Sequence, residues 1–333
     1  MTEKNIQVRL AHRPEGEVRT SDFNIAEAPL PEIGDGQLLV RNHYLSLDPY
    51  MRGRMSAAKS YAQSVNIGDV MVGGTVGRVV ASRHTGFREG DHVVGYLGWQ
   101  LYGVSDGTAL MRVDEPDIPL TAYLGVMGMP GATAYVGLMD IGQPKQGETV
   151  VVSAASGAVG SVVGQIAKIK GCRSVGIAGG PEKCAYVTDE LGFDACIDYK
   201  RGRLAEDLAA AVPNGIDIYF ENVGGRILDT VLARMNPFGR IPLCGLISQY
   251  NAIEPYGVKN FGSLLINRVK LQGFIVSDHL ARWPDAFNDI GQWIRQGRIK
   301  YRESIVQGIE NAPAAFIGLL AGKNFGKQLV KLI

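Results

Sequence analysis

The segment Ala154-Ala155-Ser156-Gly157-Ala158-Val159-Gly160 has the residue types and spacing that bear most directly on chemistry in this chain. It follows an apolar run, Thr149 to Val152, that has no helical period and stops at small residues, as a strand buried on both faces should. From Gly157 the chain can pass close to a pyrophosphate without a Cβ in the way, and Gly160 lets the next helix lie against the strand. Phosphates would then meet the positive N-terminus of that helix. Ala155 stands where the G-x-G-x-x-G pattern has its first glycine, so the pattern is incomplete, although alanine is the smallest substitute and the strand-turn-helix context is present. A plain contact between small residues of a helix and a strand would use the same sequence.

The end of the next apolar run, Ser174 to Ala178, says more. An NAD-selective site places Asp or Glu roughly 20 residues after the glycines, where it accepts hydrogen bonds from the adenosine ribose. Here the run ends in Ala178-Gly179-Gly180-Pro181-Glu182-Lys183, with no acid at the strand end. A carboxylate there would repel a 2′-phosphate; its absence leaves room for one, and Lys183 is a nearby cation. The expected cofactor is therefore NADP(H). The alternative for Lys183 is a solvated lysine in the first turn of a helix.

These segments need a scaffold, and the pattern of the chain supplies one. Up to about residue 125 it reads as short β-like runs broken by Gly, Pro and Asp: Gln7 to Ala11, Gln37 to Leu47, Gly74 to Ser82, Asp91 to Leu97 and Ala109 to Val113. That pattern predicts a compact β barrel or sandwich. A helix over Ala132 to Met139 then opens an alternating region, with strands at Thr149 to Ser153, Ser174 to Ala178, Ala195 to Asp198, Ile216 to Glu221, Arg240 to Cys244 and Lys270 to Val276. Such alternation predicts an α/β fold, a doubly wound parallel sheet that binds ligands at the carboxyl ends of its strands. Beyond about residue 297 a β-like run, a helix over Ala312 to Ala321 and a strand over Lys327 to Leu332 return to the first domain.

Composition narrows the function classes. In 333 residues there are 34 Lys and Arg against 33 Asp and Glu, which leaves no electrostatic footprint for nucleic acid or an anionic membrane. The first residues are charged where a signal peptide needs an apolar run, and no stretch of 18 or more apolar residues occurs, so a cytoplasmic protein is expected. Cys172, Cys184, Cys196 and Cys244 form no C-x-x-C pair and are expected as reduced thiols. The five histidines are scattered, so no metal site is expected.

With these pieces in order, the chain closely resembles the zinc-independent branch of the medium-chain dehydrogenases/reductases that contains prostaglandin reductases (leukotriene hydroxydehydrogenases), plant alkenal double-bond reductases and bacterial curcumin reductases. The motifs that carry the resemblance span nearly the whole chain: Leu45-Ser-Leu-Asp-Pro-Tyr50-Met-Arg-Gly-Arg-Met55, Gly90-Asp-His-Val-Val-Gly95, Ala154 to Gly160, Asp198-Tyr199-Lys200, Glu221-Asn-Val-Gly-Gly225, Ile247-Ser-Gln-Tyr-Asn251 and Asn324-Phe-Gly-Lys327. Zinc-dependent relatives carry a Gly-His-Glu ligand motif and a four-cysteine lobe, and this chain has no cysteine before residue 172. The resemblance implies a GroES-like catalytic domain at residues 1–127, completed by 297–333, around an inserted Rossmann NADP(H)-binding domain at 128–296.

It also implies a site. Lys183 and Tyr199 match the family's grip on the adenosine 2′-phosphate, and Ala155, Gly157, Ala158, Val159, Gly160 and Gly179 match its pyrophosphate and ribose segments. Asn222, Cys244, Gly245, Ile247, Ser248, Tyr250, Phe274, Val276 and Asn324 match its other cofactor contacts. Tyr50, Met51 and Arg52 match a motif at the substrate cleft. The implied chemistry is hydride transfer from NADPH to the β-carbon of an α,β-unsaturated aldehyde or ketone. Negative charge then develops on the carbonyl oxygen, where a fixed donor stabilises the transition state. Tyr250 is the candidate donor; its alternative is to position the cofactor. Quinone reduction, alcohol dehydrogenation on the same fold, and NADPH binding without turnover stay open. The family also implies a homodimer, with Leu271 to Val276 as the pairing edge.

Overall fold

The computed structural model describes residues 4–113 and 117–333, and its contacts divide the chain into two units, Met1–Gly125 with Glu303–Ile333, and Val126–Arg302. The first unit holds β1 (Lys4–Leu10), β2 (Phe23–Pro29), β3 (Leu38–Ser46), β4 (Thr75–Ser82), β5 (His92–Gly95), β6 (Tyr102–Ser105) and β7 (Met111–Arg112). The second holds β8 (Thr149–Ser153), β9 (Arg173–Ala178), β10 (Ala195–Asp198), β11 (Ile216–Phe220), β12 (Met235–Leu243) and β13 (Lys270–Gly273). The end of the chain returns to the first unit as β14 (Glu303–Gln307) and β15 (Lys327–Lys331).

In the first unit β1 and β2 form an antiparallel pair, and a larger sheet runs β14-β15-β3-β4-β5-β7, with β6 paired to β3. The strands are short because glycines and turns interrupt them, and closure depends on tight crossings. A Cβ at Gly77 would fall 2.2 Å from the carbonyl oxygen of Arg41, so β4 can lie against β3 only with glycine there. The core is aromatic and thioether-rich: Trp99 stacks on Phe23 at 5.5 Å and meets Phe316 edge-on at 5.7 Å, with Met51, Met55 and Met71 fully buried around them. The strand expected over Ala109–Val113 shrinks to Met111–Arg112, since Ala109 takes a positive φ of 55° and turns the chain.

The second unit is a six-stranded, wholly parallel sheet in the order β10-β9-β8-β11-β12-β13. Counted from β8 this is the 3-2-1-4-5-6 order of a doubly wound dinucleotide-binding sheet, whose strand order reverses between β8 and β11. Val150, Val151 and Val152 have no exposed surface, as strands covered by helices on both faces require. The helix expected over Ala132–Met139 starts earlier, at Met129 with Pro130 in its first turn, and widens over Gly137–Gly142. Gly137 explains the widening, since a Cβ there would meet the Phe220 ring at 2.6 Å and the Phe274 ring at 2.7 Å. β12 begins at Met235, earlier than its apolar run suggests, because a register irregularity against β11 absorbs the polar residues. β13 stops at Gly273 and a 3₁₀ turn starts at Val276, so Phe274 and Val276 follow the strand and do not extend the expected edge. Among the described residues no helix is long and apolar enough to cross a membrane.

Candidate cofactor site at the carboxyl ends of the parallel sheet

The turn after β8 has the geometry that its small residues call for. Ala154 holds a positive φ of 50°, its carbonyl accepts the Gly157 amide at 2.9 Å, and a Cβ on Gly160 would lie 2.4 Å from that carbonyl oxygen. Only glycine lets the helix Gly160–Ile169 start this close to the turn. Ala155 is fully buried, and a Cβ placed on Gly176 of β9 would sit 2.8 Å from its methyl group. The methyl group that replaces the expected first glycine is thus accommodated by a glycine on the neighbouring strand. Ala158 and Val159 are half-buried in the approach to the helix.

At the ends of β9 and β10 the structure joins residues far apart in sequence. A Cβ on Gly179 would meet the Tyr199 hydroxyl at 2.9 Å and the Lys200 Cε at 3.0 Å, so Gly179 lets those two side chains close over the strand end. Burial, and then the Lys200 ammonium, hold Lys183 below the usual lysine range, so the two cations are near enough to repel one another. Asp198, the carboxylate on these strand ends, accepts the Gly180 amide at 2.8 Å and the Lys200 amide at 3.0 Å, both through Oδ1. It ties the two loops together. The sequence singles out Asp198-Tyr199-Lys200 as a motif but gives no part to Asp198 or Lys200; the parallel register that sets Asp198 beside Ala178 is what brings them to the site.

A second group of loops follows β11 and β12. The Cys244 and Gly245 amides donate to Glu221 O at 2.9 and 3.2 Å, the Ile247 amide to Asn222 O at 3.2 Å, and the Ser248 amide to Val223 O at 3.0 Å. Ser248 Oγ donates to the same Val223 carbonyl at 2.6 Å. Asn222 is fixed from both sides by Ser153, through its amide nitrogen to Ser153 Oγ and its Nδ2 to Ser153 O, each at 2.8 Å. Beneath it lies the fully buried Glu221, whose carboxyl burial pushes above the usual range although the Val223 amide at 2.6 Å pulls the other way. Burial, with Glu221 adding to it, pushes the Cys244 thiol up to about 12, so this cysteine is an unreactive part of the floor. Tyr250 folds back, its hydroxyl accepting the Leu246 amide at 3.2 Å and standing over Gly245. Phe274 is buried edge-on against Phe220 at 6.3 Å, and the Val276 carbonyl accepts Trp283 Nε1 at 3.2 Å.

In the first unit, the motif at residues 45–55 is joined to the motif at 324–327. Lys327 is buried and donates through Nζ to the Asp48 carboxylate and, at 2.9 Å, to Leu47 O; Ser46 Oγ holds the other Asp48 oxygen. Asn324 Nδ2 donates to Gly326 O at 2.8 Å, which shapes the turn into β15. The expectation that Met51 and Arg52 face a substrate is corrected here. Met51 has no exposed surface and belongs to the aromatic core, and Arg52 is buried with its guanidinium on the carbonyls of Pro14 (3.2 Å) and Gly16 (2.9 Å). Tyr50 is only half-buried, and burial, then the charge of Asp48, raise its hydroxyl well above the usual value. Tyr96 and Tyr61, both exposed, lie near enough to influence it, and Tyr96 is a further aromatic that the motif did not reveal.

Residues 6–113 match a family described as the N-terminal domain of oxidoreductase, and residues 158–292 one described as zinc-binding dehydrogenase. The NADPH-dependent curcumin reductase of Escherichia coli (strain K12) is 52% identical over 337 residues, covering 99% of this chain and 97% of that protein. The 2-alkenal reductase (NADP(+)-dependent) of Nicotiana tabacum is 43% identical over 98% of this chain and 97% of its own. Among solved structures, CurA from Vibrio vulnificus in complex with NADPH superposes with a TM-score of 0.95 at 55% identity, over 98% of this chain and 99% of that one. The chain belongs to the medium-chain dehydrogenase/reductase family. Its branch is the zinc-independent one that holds these reductases, and it is an oxidoreductase acting on CH-CH groups. Among the described residues no group of three or more His, Cys, Asp and Glu is placed to hold a metal ion.

Proposed function

We propose that this chain reduces the carbon-carbon double bond of α,β-unsaturated aldehydes and ketones with NADPH. The observation that carries the cofactor half is the strand end where Tyr199 and Lys200 close beside Gly179, with Lys183 near enough to feel the Lys200 charge, while Asp198 turns its carboxylate to backbone amides. Such a spot suits a 2′-phosphate and has no acceptor aimed at a bare ribose. The turn at Ala154 to Gly160 suits the pyrophosphate, and the zipped loops at 221–225 and 244–250 suit the nicotinamide half. The bound cofactor supplies the hydride; the chain supplies position and charge stabilisation. The names of the curcumin and 2-alkenal reductases support the double-bond half.

Within this reading Lys183, Lys200 and Tyr199 grip the phosphate, and Asn222, the backbone at Cys244 to Ser248, Phe274 and Val276 line the cofactor's path. Tyr250 has its oxygen oriented by the Leu246 amide, and a hydroxyl can accept and donate at once, so it serves as the donor to the developing enolate oxygen. The half-buried Tyr50 and the exposed Tyr61 and Tyr96 offer flat apolar faces to an enone. The α-carbon proton comes from water.

The reading includes a homodimer through the β13 edge. Exposed Ile253 (84%), Leu265 (82%) and Ile266 (70%) lead into that terminal strand, an apolar surface that a second copy would cover; a monomer in sedimentation would contradict it. It also includes a cytoplasmic location. A panel of 4-hydroxynonenal, a long-chain enone and a quinone, each followed by oxidation of NADPH and of NADH, tests the function. Turnover of the first two with NADPH is expected; turnover of the quinone alone, or of none, would overturn it.

A further inference from the structure

The sulfur atoms of Cys184 and Cys196 lie 2.7 Å apart, both partly exposed, at the strand end assigned above to the 2′-phosphate. Cys184 is the neighbour of Lys183 in the short helix Pro181–Ala185, and Cys196 lies on β10 just before the Asp198 clamp and Tyr199. We infer that Cys184 and Cys196 form a reversible disulfide that couples the oxidation state of this pair to NADPH affinity. The two sulfurs need to approach by only about 0.7 Å to reach disulfide bonding distance. β10 is the edge opposite β13, so the proposed dimer leaves the pair accessible.

The chemistry assigns each sulfur a part. The two sulfurs are in contact, and Cys184, the less buried of the two and the neighbour of Lys183 in its helix, is the attacking thiolate. It attacks a peroxide oxygen, an S–O bond forms, the O–O bond breaks, and hydroxide leaves as water after taking a proton. The Cys196 sulfur, losing its proton to solvent, then displaces hydroxide from the Cys184 sulfenic acid, forming S–S and breaking S–O. Each sulfur gives up one electron, hydrogen peroxide takes two, and two waters result.

Closing the bond draws the helix that carries Lys183 toward β10 and shifts the ammonium against Tyr199 and Lys200. Charge-assisted contacts depend on that spacing, so the oxidised form holds NADPH more weakly. By linkage NADPH protects the pair from oxidation by the same factor. This coupling rests on the proposed cofactor site; the cross-link itself does not.

The test treats the reduced full-length protein with hydrogen peroxide, maps the thiols by alkylation and peptide mass, and measures NADPH and NADH binding by fluorescence. The expected result is a Cys184–Cys196 linked peptide, an NADPH dissociation constant about five- to tenfold higher, unchanged NADH binding, and recovery with dithiothreitol. Cys184→Ser and Cys196→Ser should each keep their NADPH affinity through the same treatment. No cross-link, a link to another cysteine, or a linked protein with unaltered NADPH affinity would overturn the inference. Failure of the reduced protein to bind NADPH would instead overturn the cofactor reading, and with it the coupling, while the peptide map still decides the cross-link.

Discussion

In the proposed site the choice of cofactor falls to single side chains. Lys183→Ala should weaken NADPH binding by about 1.5 to 3 kcal/mol, roughly ten- to a hundredfold, and leave NADH nearly unchanged by fluorescence titration. Equal losses for both would mean that Lys183 touches no phosphate. The pH dependence follows from the same residue. Burial and Lys200 depress its pKa in the free protein, and a bound phosphate dianion raises it again. Binding then takes up a proton above the depressed value, so NADPH affinity is full below it and falls as the pH rises through it, whereas NADH affinity stays flat. Tyr250→Phe should lower kcat about 10² to 10³-fold with little change in NADPH affinity, and an unaltered kcat would remove the hydroxyl from the chemistry. Lys183 is legible in sequence because it closely follows the strand-end glycines. Lys200 is legible only as part of the motif at 198–200, because the register of β10 on β9 is what brings its side chain to Gly179.

At the scale of elements, the Rossmann half is held to its geometry by glycines that admit a neighbour. A Cβ on Gly164, in the helix after the phosphate turn, would fall 1.8 Å from the Phe193 ring. Gly164→Ala should therefore destabilise the protein by about 1–3 kcal/mol in urea denaturation, and adding Phe193→Leu should recover part of that loss. No loss in the single variant would show that the helix does not pack as described. The alternation of strands and helices is legible because most of the parallel strands are short apolar runs with a glycine within four residues of their end. Boundaries are less so: β13 ends early at Gly273 and the Gly137–Gly142 turn widens around two phenylalanine rings, both consequences of packing partners far away in the chain.

On the scale of the whole molecule, the chain's end completes the first unit through one buried ion pair. Lys327→Met would leave the Asp48 carboxylate buried and unpaired and should cost about 3–5 kcal/mol by chemical denaturation. Adding Asp48→Leu should return much of it, and a neutral single variant would contradict the pairing. The motifs around Asp48 and Lys327 are each visible in sequence, but their pairing is not, since nothing in either predicts a partner some 280 residues away. The same holds for Met51 and Arg52, whose motif suggests a substrate cleft while their burial makes them packing residues.

In the proposed reaction hydride reaches the β-carbon of an enone. NADPH deuterated at C4, in each stereochemical form, should be reacted with a simple enone and the product examined by NMR. A saturated ketone with deuterium at the β-carbon from one form only is the expected product, whereas deuterium on the carbonyl carbon of an unsaturated alcohol would rule out transfer to the β-carbon.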